Sequence, residues 1–71
     1  MSESDFELVV NGRRLRCHGR ITVADIVSFL EQDPRAVAVD CEGRILQREA
    51  FARTLVTDGS RMEVVRFVQG G

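Results

Sequence analysis

Residues 21–30 read ITVADIVSFL. Val23, Ile26, Val27 and Leu30 fall at i, i+3, i+4 and i+7, which draws one apolar stripe along a helix. Thr22 precedes the stripe as an N-cap. Asp25, three residues on, completes a capping box with Asp in the place of Glu. Its charge also suits the positive end of the helix dipole. Asp33-Pro34 is expected to end the helix, because a residue before proline avoids the α region. A single helix with a single stripe needs one sheet to wrap against it, giving two layers.

The flanking sequence supplies the strands. Phe6, Leu8 and Val10 alternate with Glu7 and Val9. Asn11-Gly12 follows, a strong hairpin signal because a type I′ turn needs positive φ at both central positions. The return strand is Arg13 to His18, with Leu15 and Cys17 on one face, and Gly19 ends it. Arg13, Arg14, Arg16 and Arg20 cluster here and read as a charged, solvated edge. Beyond the helix, Ala36 to Asp40 is a short apolar strand. Gly43 is expected to supply the positive φ that turns it into Arg44–Leu46. Arg48 to Ala52 fits one helical turn packing Phe51. Asp58-Gly59 centres a turn, and Met62 to Val68 forms the last strand.

The order is β-β-α-β-β-β. The last strand needs protection, and the slot beside the first strand provides it. The expected class is therefore α+β: a β-grasp, or ubiquitin-like, mixed sheet of about five strands over one main helix. Residues 1–71 read as a single domain, with 69–71 as a flexible tail. A chain this short buries only about 60% of its unfolded surface, so its core is marginal. The 44% hydrophobic content is still enough to build one, and the 30% charged content keeps the surface polar.

Composition removes several functions. A net charge of −1 gives no bulk attraction to nucleic acid or an anionic membrane. No apolar run reaches membrane-spanning length, and residues 1–5 do not read as a signal peptide, so a cytoplasmic location is expected. Cys17 and Cys41 are too few for a disulfide framework or a zinc site and read as two reduced thiols. His18 has no second ligand at a metal-binding spacing. There is no nucleophile–base pair and no phosphate loop, so catalytic residues and bound cofactors are not expected. All ten basic residues are arginine. The chain therefore has no lysine amine with which to conjugate to itself.

What remains is the ending, VVRFVQGG. A strand runs almost directly into Gly70-Gly71. Together VVNGRRLR, TVADIVSFL, RAVAVDCEGRILQR and DGSRMEVVRFVQGG resemble, in order and spacing, the ThiS family of thiamine-biosynthesis sulfur carriers. The likeness covers nearly the whole chain from Phe6. Three positions depart from the family pattern. Glu42 stands where Asn often precedes Gly43, Gln47 where Pro is common, and Gln69 where a third glycine is frequent.

The resemblance implies a carrier that is the substrate of another enzyme. A ThiF or E1-like enzyme would use ATP and magnesium to adenylate the C-terminal carboxylate of Gly71. Sulfur, ultimately from cysteine through a desulfurase, would displace AMP and leave a thiocarboxylate. Thiazole synthase would then take that sulfur. The chemistry suits the residues. A carboxylate is a poor electrophile until adenylation gives it a leaving group. Gly70 and Gly71 lack Cβ atoms and so form the narrowest thread into an enclosed site. Strand alternation also places Val65 and Phe67 on the side of the sheet away from the helix, where an uncovered apolar pair marks a partner-docking site. The alternatives are a carrier for molybdopterin or another sulfur metabolite, a ubiquitin-like modifier forming isopeptides, and a plain binding module.

Overall fold

Asn11 and Gly12 adopt φ of 53° and 80°, the pair of positive values that a type I′ turn demands. They join β1 (Asp5–Val10) to β2 (Arg13–His18) in an antiparallel hairpin, with Val10 opposite Arg13 and Leu8 opposite Leu15. The computed structural model describes residues 5–67. Three further strands follow: β3 (Val37–Cys41), β4 (Arg44–Leu46) and β5 (Arg61–Arg66). The sheet order is β2-β1-β5-β3-β4. The last strand thus takes the central slot, parallel to β1 and antiparallel to β3. This is the mixed five-stranded sheet that the sequence predicts.

Helix α1 (Val23–Phe29) begins as its capping box dictates. The Asp25 amide donates to Thr22 Oγ1 at 3.1 Å, and the Thr22 amide donates to Asp25 Oδ2 at 2.9 Å. Its C-terminus differs from the expectation. The helix stops at Phe29, short of Asp33-Pro34. Glu31 turns into the left-handed region at φ 60°. The Glu31 amide donates to the Ser28 carbonyl and the Gln32 amide to the Val27 carbonyl. This is a Schellman closure with glutamate where glycine is usual. Asp33 instead caps a separate 3-10 turn, Pro34–Ala36, accepting from the Arg35 amide at 2.9 Å.

The β3–β4 turn makes a related departure. Glu42 joins Gly43 at positive φ, 56° and 84°. Its amide donates to the Arg61 carbonyl, and its carboxylate accepts from the Arg61 amide at 2.7 Å. Two bonds to β5 thus hold a residue that would otherwise avoid this conformation.

Between helix and sheet lies the core. Val23, Ile26 and Val27 are buried against Leu8, Val10, Val37, Val39 and Met62, with Val64 and Leu30 half-buried at its margin. A second 3-10 helix, Arg48–Arg53, inserts Phe51, and Val56 fills the remaining space. Buried Ser60 is satisfied through its hydroxyl, which accepts from the Thr57 amide at 3.0 Å.

Candidate functional site: the uncovered face of the last strand

Central strand β5 is fixed from both sides. Asn11, in the turn after β1, donates its amide to the Met62 carbonyl at 2.9 Å and reaches on with its side chain to Val64. Its Oδ1 accepts from the Val64 amide at 2.8 Å, and its Nδ2 donates to the Val64 carbonyl at 3.3 Å. On the other side β3 pairs along the strand as far as Val37 opposite Arg66. One more bond, from the Phe67 amide to the Ala36 carbonyl at 2.8 Å, extends this anchorage past the strand's end. The backbone is therefore held up to Phe67, four residues before Gly71 in the sequence. Gly70 and Gly71, with Gln69, lie outside the described residues.

Alternation along β5 sends Met62 and Val64 toward the helix and Val65 to the opposite face. Val65 is 56% exposed and Phe67 54%. Val65 lies opposite Ala38 on β3. Ile45 of β4 sits opposite Asp40, on the same face, and is 66% exposed. Phe67, Ala38 and Ile45 line one shallow depression of about 220 Å³, with Arg35, Gln47 and Arg48 at its rim. Of the predicted pair, the structure thus sets Phe67 beside Ala38 and Ile45 in this depression, while Val65 is exposed on the same face but does not line it. Sequence reasoning overlooked Ile45, although the parity argument used for β5 applies to it: Leu46 points inward, so its neighbour points out.

Electrostatics at this face are mild. The Arg35 amide beside Asp33 holds that exposed carboxyl below its usual range, with smaller help from the Arg35 and Arg48 side chains. Both cysteines are half-buried and free. Burial pushes both thiols above their ordinary values, and at Cys41 the carboxylates of Glu42 and Asp40 add to the effect. A raised thiol pKa leaves little thiolate at neutral pH, which makes either cysteine a poor sulfur nucleophile. Among the described residues no three His, Cys, Asp or Glu side chains group as metal ligands, and no helix is long and apolar enough to cross a membrane.

A five-stranded mixed sheet over one helix, with its last strand central and its outer face bare, defines a β-grasp protein of the ubiquitin-like class. The chain belongs to the ThiS family, whose model matches residues 8–71. The crystal structure of a ThiS thiamine biosynthesis protein from Geobacter metallireducens superposes with a TM-score of 0.77 at 35% identity, covering 93% of this chain and 100% of that one. The solution structure of that thiamine biosynthesis protein gives 0.74, covering 93% and 88%. A thiazole synthase from Paramagnetospirillum magneticum is 34% identical over 65 residues, which are 92% of this chain but only 20% of that protein. The uncharacterized protein ycf40 of Pyropia yezoensis is 27% identical over the full length of both. These likenesses support the sulfur-carrier role that the sequence resemblance implies.

Proposed function

We propose that this protein carries sulfur for the thiazole of thiamine as a thiocarboxylate on Gly71. The observation that carries the proposal is the family match, which spans residues 8–71, from the first strand through Gly70-Gly71. A thiazole synthase that contains a region similar to this chain supports the choice of acceptor.

In the proposed cycle a carboxylate oxygen of Gly71 attacks the α-phosphorus of ATP on an E1-like, ThiF-type enzyme, and pyrophosphate leaves. Sulfide, freed by a thiol reductant from the persulfide of a donor such as a cysteine desulfurase, adds to the acyl carbon, AMP departs, and the thiocarboxylate remains. ATP and magnesium belong to that partner. The carrier's own contribution is placement. Its anchored β5 presents Val65 and leads into Phe67, β4 presents Ile45 on the same face, and docking energy far from the reacting carbon positions the terminus. Gly70 and Gly71 form the thread that enters the enclosed site. Gly71→Ala should therefore slow adenylation more than it weakens docking, because its methyl meets the channel only near the reacting carbonyl.

Affinity tests the docking half of this proposal. Purified wild type, Val65→Ser and Phe67→Ser are titrated against a ThiF-type enzyme and against thiazole synthase. Both variants should bind each partner at least about tenfold more weakly, the loss of roughly one well-packed apolar contact. Unchanged affinity for both partners removes this face from the site. Binding to a molybdopterin synthase large subunit in preference to thiazole synthase would redirect the sulfur to another acceptor.

A further inference from the structure

Strand β5 outruns its parallel neighbour. The chain turns into β2 at Asn11-Gly12, so the pairing of β1 with β5 stops at Val10 opposite Met62. The Asn11 amide adds one bond, to the Met62 carbonyl at 2.9 Å. From there β5 runs on to Arg66 with β3 on its other side. On the β1 side a central strand becomes an edge at this point. The Asn11 side chain delays that by one rung. Its Oδ1 takes the Val64 N–H at 2.8 Å and its Nδ2 serves the Val64 carbonyl at 3.3 Å, replacing the bonds that a longer β1 would have supplied. Among the described residues no other bond from the hairpin reaches β5 beyond Met62.

The turn alone does not require asparagine. Position 11 has φ of 53°. Glycine takes that value without strain, and aspartate tolerates it much as asparagine does. The bonds to Val64 do require an amide side chain. Glycine offers neither donor nor acceptor, and an ionised aspartate only accepts. What the amide holds is the root of the proposed docking segment: Val65 follows directly, and Phe67 and Gly71 come three and seven residues after Val64.

We infer, on the strength of the Gly71 reading above, that Asn11 is a positioning residue for adenylation and acts through Val64. It keeps the end of β5 in strand before the activating enzyme arrives, so that docking need not also order this segment. Once docked, the segment is held by the enzyme itself. Loss of the Asn11 amide is therefore felt in binding and not in the chemical step.

The test compares wild type, Asn11→Gly and Asn11→Asp, each as the whole chain, in carrier-dependent exchange of pyrophosphate into ATP on a ThiF-type enzyme. Asn11→Gly should raise KM for the carrier about threefold or more, the effect of one ordinary hydrogen bond, and leave kcat within about twofold. Asn11→Asp keeps the acceptor for the Val64 amide and should fall between Asn11→Gly and wild type. Unfolding does not imitate this result: a variant at least about 90% folded raises its KM by no more than about a tenth on that account. Amide hydrogen exchange on the free proteins supplies a readout that needs no enzyme. In Asn11→Gly it should quicken at Phe67, whose own bond to the Ala36 carbonyl the substitution leaves in place. Unchanged KM, a fall in kcat at unchanged KM, or unchanged exchange at Phe67 would overturn the inference, while an active wild type leaves the Gly71 reading standing. Faster exchange spread evenly over β1, β3 and β5 would assign Asn11 to general stability and overturn it as well. A wild-type chain that supports no pyrophosphate exchange would overturn the Gly71 reading and this inference with it.

Discussion

The two faces of the sheet are made from the same strands and largely the same kinds of residue. On the helix side Met62 and Val39 are sealed beneath α1 and Phe51. On the opposite face of the same sheet, Val65 of β5 and Ile45 of β4 stand mostly in the open. Hydrophobicity alone does not separate them; the supply of covering elements does. Among the described residues there is one α-helix, and its single stripe covers one face. Apolar residues on the other face stabilise little in the isolated protein, which leaves them available for the partner contact proposed above. In the proposed reading, folding and recognition fall on opposite sides of one strand, β5.

The largest expected effect lies on the covered side. Phe51→Ala should cost about 3–5 kcal/mol and Ile26→Ala about 2–5 kcal/mol in denaturant unfolding, a large share of a small domain's stability. Leu30→Ala should cost less than Ile26→Ala, because Leu30 sits half-buried beyond the end of α1. Equal losses at both positions would move the edge of the core. Thr22→Ala removes one half of the capping box and should cost about 1 kcal/mol. Val65→Ser and Phe67→Ser should shift stability by no more than about 0.5 kcal/mol while weakening partner binding. A much larger loss of stability there would break the contrast between the faces.

The smallest effect is a pH dependence. Asp33 has a lowered pKa because its carboxylate caps the Arg35 amide. Its contribution is present above the unfolded carboxylate's pKa and is lost as pH falls through the lower native value. Unfolding of Asp33→Ala and wild type should therefore differ slightly at neutral pH and converge under acid. A difference that persists unchanged in acid would assign the role of Asp33 to packing.

Much of this was legible in the sequence because the signals were local. Thr22 with Asp25, Asn11 with Gly12, and the stripe from Val23 to Leu30 each lie within one turn or hairpin. The helix end was not, because Glu31 takes a conformation more common for glycine and no residue at that point announces it. Asp33-Pro34 gave a true stop signal, but it serves the following 3-10 turn. The tie between Asn11 and Val64 was hidden for another reason: 53 residues separate its partners. No local pattern reports such a bond, yet it fixes the strand that leads to the tail. Val65 and Phe67 were found by strand parity, whereas Ile45 sits in a strand of three residues, too short for its alternation to stand out.

The central claim is that sulfur is carried at Gly71, and mass measurement tests it most directly. A protein ending at Gly71, its Gly71 deletion and a version extended beyond Gly71 are each incubated with ATP, magnesium, a ThiF-type enzyme and a sulfur donor. Each is then cleaved after Arg66. The released wild-type peptide, residues 67–71, contains neither methionine nor cysteine. Methionine oxidation, which adds nearly the same mass, therefore cannot imitate the result. The account predicts that one oxygen is replaced by one sulfur on this peptide in the wild type alone, and that a Cys17→Ser, Cys41→Ser double variant behaves as wild type. Sulfur gained as readily by the deleted or extended protein, or found only on a cysteine-containing fragment, would contradict it.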